Sequence, residues 1–185
     1  MSLKTEEKHF PVLITICFAM QFILGAVGQA FTQGSFLQAL TWQVSGLFFI
    51  SGTSLYAAKL HTDKWHIASA GFILLSIGQG IMFVTPDPGV TEEAQGLAAS
   101  AFMAFLPGML FICYYSGFPK WLRIWGVLSM IPFLIAMIKI DSKTYVAETD
   151  EWLIAAGFVS MNLVSLGWSY FVLRPYHHVA VQESE

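Results

Sequence analysis

An all-α polytopic membrane protein is the fold class that this sequence predicts: six transmembrane helices in three hairpins, with both termini on the cytoplasmic side. The first reason is charge. Charged residues make up 11% of the chain, whereas soluble domains carry about 25%, so the charges cannot cover a globular surface. The second reason is that the apolar residues form runs of roughly 20 residues, the length that crosses a bilayer as a helix.

The predicted spans leave little sequence for a soluble domain, so residues 1–185 are expected to form a single transmembrane domain. A β-barrel is disfavoured because its strands alternate apolar and polar positions, and GFILLSIGQGIMF, from Gly71 to Phe83, does not. The first run follows Lys4 and Lys8 as in a signal peptide, but it exceeds the apolar segment of about 7–15 residues in such signals. The predicted spans are 10–32, 36–58, 65–85, 95–117, 121–140 and 152–173.

Basic residues lie mainly on one side of the predicted spans, with seven of the nine Lys and Arg residues there. Lys and Arg concentrate in cytoplasmic loops, so this side is expected to be cytoplasmic and to hold both termini. The seven residues are Lys4, Lys8, Lys59, Lys64, Lys120, Arg123 and Arg174, and the other two are Lys139 and Lys143.

Small residues recur every four positions along the fourth predicted span. This spacing places them on one helix face, where they allow a second helix backbone to approach closely. The partner is either a neighbouring helix of the same bundle or another copy of the chain, and both interpretations stay open. Two prolines within spans, Pro107 and Pro132, are each expected to kink a helix because proline removes a backbone hydrogen bond. The small residues are Gly96, Ser100, Ala104 and Gly108.

Ionisable residues are absent from the middle of every predicted span. Such residues normally mark proton relays, ion paths and counter-ions, so the sequence disfavours a proton-coupled transporter and a retinal protein. The histidines lie at or beyond the span ends, and no nucleophile with a partnering base is evident. We therefore expect no catalytic residue, no metal site, no cofactor and no nucleic-acid partner, and an enzyme is the function class with the least support.

Amide side chains are the polar groups that remain inside the spans. Gln21 and Asn162 lie near the middle of the first and sixth spans, and Gln29, Gln43 and Gln79 lie in the outer thirds of the first three. Because an unpaired amide is costly in hydrocarbon, each should bond a neighbouring helix or line a polar cavity. Both interpretations stay open for Gln29, Gln43, Gln79 and Asn162, and a cavity of this kind would suit a neutral polar molecule or a lipid headgroup.

Two stretches, GFILLSIGQGIMFVTPDPGVTEEAQGLAASAFMAF from Gly71 and GFPKWLRIWGVLSM from Gly117, resemble a family of small multi-helix bacterial membrane proteins catalogued as a domain of unknown function. Members of that family often show a Pro/Asp-Pro-Gly turn between two spans, followed by a His-Gly pair. This chain has Gln95-Gly96 in place of that pair. The resemblance implies no activity; it implies a multi-pass protein of the bacterial cytoplasmic (inner) membrane.

The function expected from these features is that of a non-catalytic integral membrane protein in contact with membrane lipids. It would be an accessory subunit or scaffold that acts as a homo-oligomer or through a membrane-protein partner. The alternative is a carrier, channel or receptor for a neutral polar small molecule or lipid through an outward-facing pocket. A pocket lined by Gln29, Gln43 and Gln79 would favour this alternative.

Overall fold

The computed structural model describes residues 3–32, 34–85 and 92–173, and within them the chain forms helices and no strand. The predicted turn at Pro86–Gly89 and the C-terminal Arg174 lie outside this description. The helices are α1 (Leu3–Gly28), α2 (Phe36–Thr62), α3 (His66–Val84), α4 (Glu92–Cys113), α5 (Lys120–Leu128), α6 (Ile131–Asp141) and α7 (Ala147–Leu173).

Five segments within the described ranges are long and apolar enough to cross a membrane. The prediction of an all-α membrane protein is thus confirmed, with five candidate spans where the sequence analysis counted six. The candidates are His9–Gly28, His66–Val84, Ala94–Cys113, Lys120–Asp141 and Thr149–Leu173.

Helix α2 is the predicted span that is missing from these candidates, although it is 27 residues long. Polar side chains in its first half, among them Gln38, Gln43 and Ser45, lower its mean hydropathy. Its start is well defined, because the Ser35 side chain accepts a hydrogen bond from the Gln38 amide nitrogen at 3.2 Å, as expected of an N-cap residue. Helix α2 packs between α1 and α3 along the bundle.

Successive helices pack side by side around the bundle, and the last helix returns to the first. Helices α1 to α4 contact one another in order, α4 contacts α5 and α6, and α7 contacts α5, α6 and α1. The Thr15 hydroxyl of α1 donates to the Ser169 carbonyl of α7 at 3.5 Å. The bundle is therefore a closed ring in which α5 and α6 together occupy one position.

Aromatic rings fill the centre of this ring. Trp168 of α7 lies 5.8 Å from Phe18 of α1 and 4.9 Å from Phe72 of α3, measured between ring centroids. Phe49 of α2 lies 6.2 Å from Phe18, and all four side chains are buried. Contacts of this kind add to the stabilisation that burial alone provides. A second group of rings joins α4, α6 and α7: Phe102, Phe105, Phe133 and Phe158.

The predicted fifth span is two helices, separated at Ser129 and Met130. Pro132 has no N–H group to donate to the carbonyl four residues earlier, so the regular helical hydrogen-bond pattern is interrupted at this point. The Ser129 hydroxyl donates to the Gly126 carbonyl at 2.7 Å, while the Met130 amide donates to the Val127 carbonyl at 3.1 Å. The other proline, Pro107, lies inside α4, which continues past it.

Four basic residues lie at one end of the bundle, which we call the basic end: Lys59, Lys64, Lys120 and Arg123. The α2–α3 and α4–α5 connections meet there, since the Trp65 and Tyr115 rings lie 4.7 Å apart. The α6–α7 connection, with Lys139 and Lys143, follows the opposite ends of the helices. The described lysines and arginine thus separate in space as the sequence analysis separated them along the chain.

Candidate functional site

A buried amide network joins α1, α2 and α7 near the middle of the bundle. Gln21 is 3% exposed, and its Nε2 donates to Asn162 Oδ1. The Ser165 hydroxyl donates to Gln21 Oε1 at 3.1 Å, and the Ser45 hydroxyl donates to the Gln21 main-chain carbonyl at 2.8 Å. These contacts use the Gln21 amide to hold helices together. The sequence analysis identified both amides but not the two serines; the signal for Ser165 was its position three residues after Asn162, on the same helix face.

The three outer glutamines have different environments. Gln29 and Gln43 are exposed on the surface of the bundle, and Gln79 is half-buried. Gln79 packs against Gly46 of α2. A Cβ atom added at Gly46 would lie 2.9 Å from Gln79 Nε2. Among the described residues, no hydrogen bond joins Gln79 to Gln29 or Gln43, and Asn162 bonds Gln21. Whether Gln79 lines a pocket or only contacts a neighbouring helix stays open, and α2 is the helix that it contacts.

The small residues of α4 face two directions. Gly108 packs against Gly71 of α3. A Cβ atom added at Gly71 would lie only 2.5 Å from the Gly108 carbonyl oxygen. Ala104 is half-buried, and Gly96 and Ser100 are exposed. A Cβ atom at Gly96 would meet no atom of the described residues within 4 Å. One end of the predicted seam therefore packs inside the bundle and the other faces outward. The sequence analysis did not identify Gly71 as the partner.

An open groove of about 540 Å³ runs between α2 and α3. The Thr53 and Ser76 hydroxyls lie 2.7 Å apart, and the Ser69 hydroxyl donates to the Ala57 carbonyl at 2.8 Å. These contacts satisfy hydroxyl groups by bonding them to one another and to backbone. The hydroxyls thereby act as helix contacts, as is common in membrane proteins.

Two histidine side chains, one at the end of α2 and one at the start of α3, lie next to each other. His61 and His66 form a pair, with their Nδ1 atoms 3.2 Å apart. No group of three or more His, Cys, Asp or Glu residues close enough to hold a metal ion occurs among the described residues.

An ion pair organises the connection between α6 and α7. Lys139 Nζ donates to Asp150 Oδ1, and Asp150 Oδ2 accepts from the Val146 amide nitrogen at 2.9 Å. The Lys139 carbonyl accepts from the Thr144 amide at 2.8 Å and the Tyr145 amide at 3.0 Å. Asp150 lies between the fifth and sixth predicted spans, and the structure places it in the first turn of α7, paired with a lysine.

A second open groove, of about 500 Å³, lies where α4 ends and α5 begins. Arg123 Nε donates to the Cys113 carbonyl, and Cys113 Sγ donates to the Arg123 carbonyl at 3.1 Å. These two contacts fix the start of α5 against the end of α4. The groove brings Lys120 and Arg123 together, and the sequence analysis had used these two residues only to orient the chain.

Comparison of the chain with protein-family models, with curated proteins and with solved structures gives no match.

Proposed function

We propose that this protein is a non-catalytic integral membrane protein that acts through association, as a homo-oligomer or as a subunit beside another membrane protein. In this proposal α2 is a sixth span, and the basic end, with both termini, faces the cytoplasm of a bacterial cell. The observation that carries the proposal is the outward face of α4, where Gly96 and Ser100 are exposed.

The reason for a close contact at this face is that none of the described residues requires a glycine there. A glycine in a helix costs about 1 kcal/mol relative to alanine, and a Cβ atom at Gly96 would meet open space. A neighbouring helix that packs against Gly96 and Ser100 would account for the glycine, because small residues four apart let two helix backbones approach. Met103, which is 67% exposed, lies next to them and offers apolar contact area.

The alternative function, a carrier or channel for a neutral polar molecule, has less support. A carrier needs a polar path or cavity between its helices, whereas here the rings of Phe18, Phe72 and Trp168 occupy the centre. The buried amide of Gln21 is bonded to Asn162 and Ser165. These features favour a packed bundle whose outer surface carries the function.

Replacing Ser100 with leucine tests the association. Ser100 is exposed, so Ser100→Leu should leave the bundle folded while it blocks the approach of a second helix. We expect the oligomer population to fall at least severalfold, measured by single-molecule photobleaching in liposomes. Ser51→Leu is the matched control, since Ser51 is an exposed serine on α2, and it should leave the oligomer unchanged.

Two results would overturn self-association through this face. One is a wild-type chain that stays monomeric at every protein-to-lipid ratio. The other is an equal response to Ser100→Leu and Ser51→Leu. Association with a different membrane protein is then tested with a photo-reactive residue at position 100. A foreign subunit on this face would give a crosslinked product whose mass differs from that of a dimer of this chain.

A further inference from the structure

The groove between α4 and α5 has a charged mouth and an apolar wall. Lys120 and Arg123 lie in the first turn of α5, and Ile124, Val127 and Leu128 line the same groove one to two turns further along. Residues at these spacings share one face of a helix. Cationic groups therefore lie at the end of the helix, with apolar side chains next to them along its axis.

The groove also lies at the depth where a lipid headgroup meets its acyl chains. Lys120 begins a segment, Lys120–Asp141, that is long and apolar enough to cross a membrane. Trp121 and Trp125 are 58% and 47% exposed on the first turns of α5, and tryptophan is enriched at the boundary between headgroups and hydrocarbon. In a bilayer, the first turn of α5 would lie at this boundary, with the groove beside it.

The two cations of the groove lack a carboxylate partner among the described residues. The ion pairs found there are Lys59–Asp63 and Lys139–Asp150. The Arg123 guanidinium is held in place because its Nε donates to the Cys113 carbonyl, which leaves its terminal N–H groups to face an anion. The positive end of the α5 dipole adds to this local positive potential.

We propose that this groove binds one anionic phospholipid of the surrounding bilayer. Lys120 and Arg123 hold the phosphate-containing headgroup, and an acyl chain lies along Ile124, Val127 and Leu128. Charge complementarity selects the anionic lipid over a zwitterionic one, and basic pockets between membrane helices bind anionic headgroups on this principle. This site goes beyond the proposed association and does not depend on it, since it lies on α5 rather than on the outward face of α4.

Lipid binding to the full chain in detergent micelles, followed by native mass spectrometry, tests the proposal. The chain is titrated with phosphatidylglycerol and with phosphatidylcholine that carries the same acyl chains. We expect the wild type to prefer phosphatidylglycerol, and Lys120→Gln to weaken its binding by about fivefold, as expected for one interfacial charge. Binding of phosphatidylcholine should not change. Lys64→Gln is the control, because Lys64 is an exposed lysine at the same end of the bundle and outside the groove.

The double variant Lys120→Gln/Arg123→Gln extends the test, with an expected loss of about thirtyfold if the two charges contribute independently. Arg123 also bonds the end of α4, so the melting temperature of the double variant is measured alongside; if it does not fold, Lys120→Gln alone decides. The proposal is overturned if the wild type binds both lipids equally, or if Lys64→Gln weakens phosphatidylglycerol binding as much as Lys120→Gln does.

Discussion

Gln21 lies at the centre of the buried polar network of this bundle. Its side chain bonds Asn162 and Ser165 of α7, and its carbonyl accepts from Ser45 of α2. An amide buried in hydrocarbon is costly without partners, and the network satisfies it with groups from two other helices. The same contacts fix the rotation of α1 against α7, which apolar packing alone specifies weakly.

Replacing Gln21 with leucine should destabilise the bundle by about 1–2 kcal/mol, because Asn162 and Ser165 lose a buried partner. The double variant Gln21→Leu/Asn162→Leu should lose less than the sum of the two single variants, since it no longer buries an unpaired amide. Unfolding in mixed detergent micelles measures both effects. Gln43→Leu is the control; Gln43 is exposed, and an equal loss of stability there would contradict the network.

The sequence located the amides at this scale but could not choose their partners. Gln29, Gln43 and Gln79 were grouped because they share a depth in the membrane, and depth says nothing about the direction in which a side chain points. In the structure Gln29 and Gln43 are exposed, and Gln79 lies against Gly46. Asn162 meets Gln21 because α7 packs on α1, a contact between the first and last helices that no local pattern encodes.

Glycines decide how closely α3 and α4 approach each other. A Cβ atom at Gly71 would lie 2.5 Å from the Gly108 carbonyl oxygen and 2.9 Å from the Ile112 amide nitrogen. Both are backbone atoms, so no side-chain rotation can relieve the clash. A Cβ atom at Gly80, on the same helix, would meet nothing within 4 Å.

Gly71→Ala should therefore separate the two helices and destabilise the protein by about 1–3 kcal/mol. Gly80→Ala should be neutral or stabilising by up to about 1 kcal/mol, because alanine favours the helix over glycine. The two variants add the same methyl group to the same helix, so a comparison of their melting temperatures isolates the contact. Equal melting temperatures would show that α3 and α4 do not meet at Gly71.

Element boundaries were more accessible to sequence analysis than element contacts. The apolar runs predicted the helices, and Pro132 predicted a distortion in the fifth span, which the structure shows as the separation of α5 from α6. The face on which each helix packs was harder to predict. Lipid-facing and protein-facing surfaces of a membrane helix are both apolar, so periodicity alone could not assign Gly96 outward and Gly108 inward.

The ring of helices carries more described basic residues at one end than at the other. Lys59, Lys64, Lys120 and Arg123 lie at the basic end, and the α6–α7 connection with Lys143 lies at the other. Since α2 packs alongside α1 and α3, its lower hydropathy fits a span whose polar groups are partly covered by its neighbours. In the proposed arrangement α2 is a sixth crossing and the basic end is cytoplasmic, because Lys and Arg concentrate on the cytoplasmic side of a membrane.

Cysteine labelling in intact cells tests this arrangement for the whole molecule. Single cysteines replace Thr32, His61, Lys120 or Asp141, all exposed, in a chain whose Cys17 and Cys113 are alanine. A membrane-impermeant maleimide should label positions 32 and 141 in intact cells and positions 61 and 120 only after permeabilisation. Positions 61 and 120 share the basic end, whereas position 32 precedes the other end of α2 and position 141 ends α6. Labelling of positions 32 and 61 from the same side would rule out α2 as a crossing, because α2 is the helix that separates these two positions. Labelling of positions 61 and 120 in intact cells, with positions 32 and 141 protected, would keep the six crossings and reverse their direction.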